Sequence, residues 1–269
     1  MAERRPGTLI IIGGHEDRDP KGDRLILKEV ANRVRGGKLV LATVASHRPE
    51  GYFAEYEKAF EDLDVGELVE LYVEDRQEAG DRHKLDALED AAGVFFSGGD
   101  QLRITSQIGD SGIEAKVRAL YERGGVIAGT SAGASVMSET MLVKGTSKET
   151  HRIGDLNMAP GLGLIRDVII DQHFAERGRF GRLLGAVAQN PRILGVGIDE
   201  NTAAVVEDGQ MEIIGEGAVY VVDGSSVSFS NVADAKSNAT LSIHDVTVHV
   251  LAEGDLFDLG KRRPVRGRS

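Results

Sequence analysis

The chain has 269 residues, a net charge of −11 and no cysteine. The lack of cysteine excludes disulfides, thiolate metal sites and cysteine nucleophiles, and the acidic balance argues against a nucleic-acid partner. No apolar run approaches the roughly 20 residues of a membrane helix, and the run at 9–12 is too short for a signal-peptide core, so we expect a cytoplasmic protein.

The first two-thirds of the chain alternates short apolar runs with amphipathic helical patterns. Strands are predicted at 8–12, 38–44, 68–73, 94–97, 126–128, 168–170 and 194–198. Helices are predicted at 24–36, 51–63, 83–91, 100–108 and 113–123. This alternation indicates right-handed βαβ units and an α/β fold with a mostly parallel sheet flanked by helices.

The pattern changes after Glu200 to short apolar runs separated by turn residues. We predict strands at 202–207, 211–215, 218–223, 227–229 and 246–251, which form a β-rich tail of antiparallel hairpins that extend the sheet. The basic end, 261–269, is expected to be frayed. Only six prolines and no low-complexity linker favour a single domain over residues 1–269.

Three predicted strands run into glycine turns, at Gly13-Gly14, Gly98-Gly99 and Gly129. Parallel sheets bind ligands at the carboxyl ends of their strands. We therefore expect these turns to share one rim, where the functional site lies.

A candidate nucleophile, Ser131, lies in Gly129-Thr130-Ser131-Ala132-Gly133, which fits the G-x-S-x-G nucleophile elbow. A strained turn between strand and helix requires small residues two positions before and after the serine. A helix predicted at 132–137 would direct its N–H groups towards a developing oxyanion. Nearby Ser135 is expected to be a small helix residue.

A serine nucleophile needs a base. Among the seven histidines, His173 follows an apolar strand, and His15 follows the first strand on the same rim, so both remain open. We expect solvent-facing positions for His47, His83 and His151, and positions away from the rim for His244 and His249.

The orienting acid is open among four carboxylates. Glu200 and Asp199 end the predicted strand at 194–198, Asp171 precedes His173 by two residues, and Glu149 is a further candidate. The sequence contains no cluster with metal-ligand spacing, so we expect neither metal nor cofactor and predict an activity that survives chelators.

Two further segments of the rim contain polar groups. Gly99 could donate a second oxyanion hydrogen bond, and Gln101 could bind a substrate amide. Three guanidiniums follow His173, at Arg177, Arg179 and Arg182. Taken alone, this segment is typical of a solvated basic surface.

At these residues the sequence resembles cyanophycinase, a family of serine exopeptidases allied to aspartyl dipeptidase. The resemblance covers the chain from Leu9 to about Glu207 and depends on several separated motifs. These motifs are Gly13-Gly-His-Glu-Asp-Arg18, Ser97-Gly-Gly-Asp-Gln101, Gly129-Thr-Ser-Ala-Gly-Ala-Ser135, the segment from Asp171 to Arg182, and Gly197-Ile-Asp-Glu-Asn201. The sequence departs from the family at His15 and Arg18, where a small residue and a lysine are more common.

The resemblance implies a flavodoxin-like fold related to class I glutamine amidotransferases, and a homodimer. It also implies hydrolysis of cyanophycin, a polyaspartate bearing arginine on each side-chain carboxyl, to β-aspartyl-arginine dipeptides. It assigns Ser131 as nucleophile, His173 as base and Glu200 as acid, with the N–H groups of Gly99 and Ala132 as the oxyanion hole. The substrate pocket that it implies comprises Gln101, Asp171, Gln172, Arg177, Arg179 and Arg182.

Two alternatives remain at this point. An aspartyl or isoaspartyl dipeptidase would use the same triad on small peptides. A non-catalytic peptide-binding module would keep the fold with Ser131 as a relic. An α/β-hydrolase is disfavoured, because its order of serine, acid and histidine does not match Glu200 following His173.

Overall fold

The computed structural model describes residues 6–144, 152–154, 156–234, 236 and 238–265. Its strands are β1 (Thr8–Ile12), β2 (Lys38–Ala42), β3 (Glu67–Leu71), β4 (Ala91–Phe96), β5 (Val126–Thr130), β6 (Thr140–Lys144), β7 (Asn157–Pro160), β8 (Val168–Gln172), β9 (Leu194–Ile198), β10 (Thr202–Glu207), β11 (Gln210–Gly215), β12 (Val219–Asp223), β13 (Phe229–Ser230), β14 (Ile243–His244), β15 (Thr247–Leu251), β16 (Leu256–Asp258) and β17 (Arg263–Val265). Its helices are α1 (Leu25–Val34), α2 (Pro49–Phe60), α3 (Arg82–Ala87), α4 (Gln101–Ile108), α5 (Gly112–Glu122), α6 (Ala132–Ser135) and α7 (Phe180–Gln189), and a 3₁₀ helix spans Arg76–Gly80. None of these described helices is both long and apolar enough to cross a membrane.

The larger sheet has nine strands in the order β17-β16-β11-β10-β1-β5-β4-β2-β3. From β1 to β3 every neighbouring pair is parallel, whereas β10, β11, β16 and β17 continue the sheet antiparallel. β1 and β5 are buried along their whole length, as expected of strands covered on both faces. The predicted α/β fold with a mostly parallel central sheet is confirmed.

A second sheet of four strands has the order β15-β12-β9-β8. Of the predicted tail hairpins, β10 and β11 extend the larger sheet, whereas β12 and β15 pair with the second one. The prediction that the whole tail extends one sheet is therefore wrong. An alternating pattern indicates that one face of a strand is buried, but it does not say which sheet buries it.

The ends of β1, β8 and β9 meet where the two sheets approach each other. The His173 N–H donates to the Gly13 carbonyl at 2.8 Å, and the Asn201 N–H donates to the Gly14 carbonyl at 2.8 Å. A Cβ on Gly13 would lie 1.9 Å from the Asp199 carbonyl oxygen, so this approach requires glycine. These contacts join the rim of the larger sheet to the strand ends of the second.

The basic C-terminal segment is ordered further than predicted. Residues from Arg263 to Val265 form β17, and Arg262 Nη1 donates to Asp223 Oδ1 at 2.8 Å. The expected fraying from 261 therefore disagrees with the structure for 261–265, where strand pairing and an ion pair with the buried Asp223 carboxylate hold the backbone. Residues 266–269 lie outside the described part of the chain.

Candidate active site

Ser131 lies on a sharp turn between β5 and α6. Its backbone has φ +53° and ψ −108°, a conformation that non-glycine residues rarely adopt and that is common at functional sites. The Ser131 N–H donates to the Ile12 carbonyl at 3.0 Å. A Cβ on Gly129 would lie 2.5 Å from the Gly133 carbonyl oxygen, and one on Gly133 would lie 2.2 Å from that of Phe96. Both motif glycines therefore allow the close approach on which the turn depends.

A histidine and a carboxylate form a chain of hydrogen bonds with this serine. His173 Nε2 lies 2.9 Å from Ser131 Oγ, and His173 Nδ1 lies 2.6 Å from Glu200 Oε1. The three residues directly follow or lie just beyond the ends of β5, β8 and β9. The arrangement allows Nε2 to accept the serine proton while Nδ1 donates to the carboxylate.

The environment of His173 keeps its imidazole neutral. Burial lowers the pKa of His173, and the cations Arg177 and Arg179 lower this pKa further. The hydrogen bond to Glu200 acts in the opposite direction but does not cancel the effect of burial. A neutral imidazole at neutral pH is the form that can accept a proton from a serine.

Among the described residues, the alternative acid Asp199 and the alternative base His15 make other contacts. Asp199 accepts from the backbone N–H groups of Ala175 and Ala218, at 2.9 and 3.1 Å, which is a structural role. His15 Nε2 is 3.7 Å from Glu200 Oε1, and its ring packs edge-on against His173. Glu149 lies outside the described residues, as does His151.

Among the described residues, the second serine of the motif and the other histidines do not take part in this hydrogen-bonded chain. Ser135 is buried, and its Oγ is 3.4 Å from Gln172 Nε2. His47 and His83 are exposed, as predicted. His244 and His249 lie on β14 and β15, on strands that do not belong to the larger sheet.

A cavity of about 410 Å³ opens in front of Ser131 and His173. It is lined mostly by polar groups, and the predicted residues among them are Gly99, Gln101, Gln172, Arg177, Arg179 and Arg182. Gln101 is held in place because its Nε2 donates to the Leu142 carbonyl at 2.9 Å. The geometry thus brings the predicted polar groups together around the serine.

The two buried arginines of the cavity are paired with Asp171, which lies beneath it. Arg182 Nε donates to Asp171 Oδ2 at 2.6 Å, and Arg179 Nη1 donates to Asp171 Oδ1 at 3.2 Å. Arg179 Nη1 also donates to Gln172 Oε1 at 2.7 Å. Burial lowers the pKa of Arg179 to about 10, so the guanidinium stays charged at neutral pH.

Asp171 differs from its predicted position. Its side chain is 1% exposed, and both of its oxygens accept from arginine. The residues that line the cavity do not include it. The expectation that Asp171 contacts a substrate directly disagrees with this placement, because its oxygens are directed into the arginine pair instead of the cavity.

Glu16 is a buried carboxylate of the cavity to which the sequence analysis assigned no role. It is 4% exposed, its Oε1 accepts from the Tyr56 hydroxyl, and its Oε2 accepts from Thr130 Oγ1 at 2.5 Å. Glu16 is the only carboxylate among the described residues that line the cavity. The sequence did contain an indication of this role, because Glu16 lies in the turn after β1, which was expected on the functional rim.

Within the described residues, one group of side chains has the composition and spacing to hold a metal ion. It consists of His15, His173 and Glu200, with one ligand atom from each within 4.8 Å of the others. Two members belong to the hydrogen-bonded chain that ends at Ser131.

A serine joined to a neutral histidine and a carboxylate, at the rim of a mostly parallel α/β sheet, defines the site of a serine hydrolase. The chain belongs to peptidase family S51, whose sequence model matches residues 9–214. It is thus a serine-type exopeptidase, in agreement with the class that the sequence predicted.

Known proteins similar to this chain extend over nearly its full length. The cyanophycinase of Synechococcus elongatus is 38% identical over 257 residues, which is 94% of this chain and 79% of that protein. The cyanophycinase of Geminocystis herdmanii is 34% identical over 271 residues, 99% of each. The crystal structure of a peptidase from an acI-B1 Actinobacterium superposes on this chain with a TM-score of 0.67 at 20% identity. The match covers 92% of this chain and 98% of that one, so the two proteins share the fold.

Proposed function

We propose that this chain is a cyanophycinase, which releases β-aspartyl-arginine dipeptides from cyanophycin, with Ser131, His173 and Glu200 as its catalytic triad. The observation that carries the mechanism is the continuous hydrogen-bonded chain, 2.9 Å from Ser131 to His173 and 2.6 Å from His173 to Glu200. The substrate is supported by relatives named cyanophycinase that match 94–99% of the chain.

The proposed reaction proceeds through an acyl-enzyme. His173 Nε2 takes the Ser131 proton as Oγ attacks an aspartyl backbone carbonyl, and Glu200 stabilises the imidazolium. The C–N bond then breaks, and His173 returns the proton to the leaving amine. Water attacks the acyl-enzyme with His173 again as base, which releases the acid product and restores the serine.

Two backbone N–H groups are proposed to hold the oxyanion. Ala132 is the first residue of α6, where an N–H has no acceptor within the helix. The Gly98-Gly99 turn lies next to the nucleophile, because a Cβ on Gly98 would lie 3.5 Å from Ser131 Cβ. Gly99 has φ +145°, a backbone conformation that only glycine adopts readily. The orientation of the Gly99 N–H depends on this conformation.

The arginines are proposed to bind a free carboxylate at the end of the polymer. Arg177, Arg179 and Arg182 line the cavity beside the triad, and guanidiniums bind carboxylates with two parallel hydrogen bonds. Arg179 Nε is buried and has no hydrogen-bond partner among the described residues. Asp171 holds Arg179 and Arg182 in position, and we expect Gln101 and Gln172 to contact the substrate amides.

Glu16 is proposed to contact the guanidinium of the substrate. A carboxylate has about four acceptor sites, of which the Tyr56 and Thr130 hydroxyls occupy two. A Glu16→Gln variant should lose more activity on a short oligomer of β-aspartyl-arginine units than on the same oligomer with an uncharged side chain in place of arginine. An equal loss on both oligomers would show that Glu16 acts only by holding Thr130 and Tyr56.

The decisive experiment is incubation with insoluble cyanophycin followed by mass analysis of the products. We expect dipeptides alone, and loss of the nucleophile in Ser131→Ala should reduce kcat by about 10⁶. Ser138→Ala is the matched control, because this serine lies shortly after the same helix and its Oγ has no hydrogen-bond partner among the described residues. A ladder of longer fragments would contradict exopeptidase cleavage at this site.

Two other functions give different results in the same assay. An aspartyl or isoaspartyl dipeptidase would hydrolyse small Asp-X or isoAsp-X peptides and leave the polymer intact. A non-catalytic peptide-binding module would release nothing and would not be labelled by a serine-directed covalent inhibitor. The triad geometry favours both enzymes over the binding module.

We further propose that the protein works as a homodimer in the cytoplasm, as one domain, without a cofactor. This proposal depends on the family resemblance and on the sequence composition. Size-exclusion chromatography with light scattering measures the oligomeric state, and a monomer that is fully active would overturn the dimer.

A further inference from the structure

We propose that His15, His173 and Glu200 form a binding site for a divalent transition-metal ion such as Zn²⁺, and that an ion bound there blocks the hydrolase. The binding part of this proposal stands on the geometry alone, and the inhibition part rests on the proposed function.

The three side chains already lie at nearly the right separations for a metal ion. Glu200 Oε1 is 2.6 Å from His173 Nδ1 and 3.7 Å from His15 Nε2. Zinc binds nitrogen and oxygen at about 2.0–2.2 Å in a tetrahedron, which places neighbouring ligand atoms about 3.3 Å apart. The two observed separations lie on either side of this value, so small side-chain rotations would complete the site.

The backbone fixes His15 opposite the other two ligands. The carbonyls of Gly13 and Gly14 accept from the N–H groups of His173 and Asn201, both at 2.8 Å. On the far side of His15, the Asp17 N–H donates to Asn201 Oδ1 at 3.0 Å. The turn that carries His15 is thus attached to the strand ends that carry His173 and Glu200. A preorganised ligand set reduces the entropy lost on binding.

An ion from solution can reach this group. The side chain of His15 is 65% exposed and that of Glu200 is 29% exposed, whereas His173 is buried. Two imidazoles and one carboxylate suit Zn²⁺ and similar transition metals better than Mg²⁺, which prefers oxygen ligands. Arg177 lies close enough to influence His173 and opposes a cation here, so the affinity should be lower than that of a structural zinc site.

Occupation of the site would disable the base in a specific way. A metal ion on Nδ1 of His173 leaves the remaining imidazole proton on Nε2. Nε2 then directs a proton at Ser131 Oγ and cannot accept one. The same ion takes the Glu200 carboxylate, which would otherwise stabilise the imidazolium. Binding therefore removes both the acceptor and its electrostatic support.

The inhibition experiment titrates Zn²⁺ and, separately, Mg²⁺ against dipeptide release by the full-length enzyme. We expect inhibition by Zn²⁺ that EDTA reverses, and none by Mg²⁺ at the same concentrations. His15→Asn should raise the Zn²⁺ concentration for half-inhibition at least about tenfold, since even outer-shell changes at metal sites cost that much. Asparagine tolerates the positive φ of this position. His47→Asn, at an exposed histidine outside the cavity, is the matched control.

A binding experiment separates this proposal from the catalytic one. Calorimetry with Zn²⁺ and the Ser131→Ala protein measures binding where no turnover is possible, and we expect one ion per chain, lost when His15→Asn is added. If Zn²⁺ binds in this manner to a chain that hydrolyses neither cyanophycin nor dipeptides, the metal site stands and the proposed function fails. If the enzyme is active but His15→Asn leaves binding and inhibition unchanged, the metal site is overturned.

Discussion

The contribution of Glu200 is the sharpest test of the proposed triad. Glu200→Gln keeps the size of the side chain but removes its charge 2.6 Å from His173 Nδ1. The Gln amide can also donate to Nδ1, which moves the imidazole proton to Nε2 and prevents Nε2 from accepting the serine proton. Two effects of one substitution therefore act against the same step.

The magnitude follows from the geometry. The charge centres of the carboxylate and of the imidazolium that forms are separated by about 4 Å, where unit charges attract by about 4 kcal/mol at an effective dielectric constant of about 20. That dielectric constant is appropriate because the Glu200 side chain is 29% exposed. This energy corresponds to about 10³ in rate, and the wrong tautomer should increase the loss to about 10⁴, as the same change does in chymotrypsin-like enzymes.

The assay is kcat for dipeptide release at neutral pH, with circular dichroism to confirm folding. Glu176→Gln is the matched control, because this carboxylate accepts from the Glu200 N–H and a glutamine oxygen can still do so. It should stay within about threefold of the wild type. A folded Glu200→Gln protein that loses less than about tenfold would refute the assignment of Glu200 as the orienting acid.

Three further predictions concern the surroundings of the base. Arg177→Gln removes a cation that lowers the pKa of His173, so this pKa should rise. Less of the imidazole is then neutral at acidic pH, and the acid limb of the kcat/KM profile should move to higher pH. A move of this limb to lower pH would contradict the charge effect. Asp171→Asn leaves the buried guanidiniums of Arg179 and Arg182 without a counter-charge, and it should lower the free energy of unfolding in urea by about 3–5 kcal/mol. An unchanged free energy of unfolding would show that these ion pairs do not stabilise the fold. Gly14→Ala, with φ +112° and a new Cβ 2.3 Å from His173 Cε1, should reduce kcat about 10²-fold in a protein that stays folded, and full activity would mean that the ring has room to move.

The sequence was most informative where the physical requirement is local. The elbow around Ser131 needs a strand, a strained residue and two glycines at fixed spacing, and all of these lie within a few residues. Strand positions followed for the same reason, since continuous apolar runs are a local property, and the predicted bounds of β1, β9 and β10 agree with the structure at both ends. The helix predicted at 132–137 ends at Ser135, because helix ends depend on contacts that the pattern does not contain.

The choice between His173 and His15 required distances between separate strand ends. Both histidines follow strands on the rim, and only the tertiary structure places one at 2.9 Å from Ser131 and the other beside Glu200. The resemblance to a known family selected His173 in advance, but it did so by comparison and not from the residues alone.

The charges around the cavity show most clearly what the chain order leaves open. Asp171 precedes His173 by two residues, so the pattern alone could not distinguish a carboxylate that faces a ligand from one buried against Arg179 and Arg182. Glu16 reaches the cavity only because β1 lies beside β5 in the larger sheet. The sequence by itself determined the α/β fold, the rim and the position of Ser131, the proposed nucleophile, because each follows from local periodicity or a tight turn. Only the tertiary structure decided which charges meet, because those contacts join residues from different strands and two different sheets.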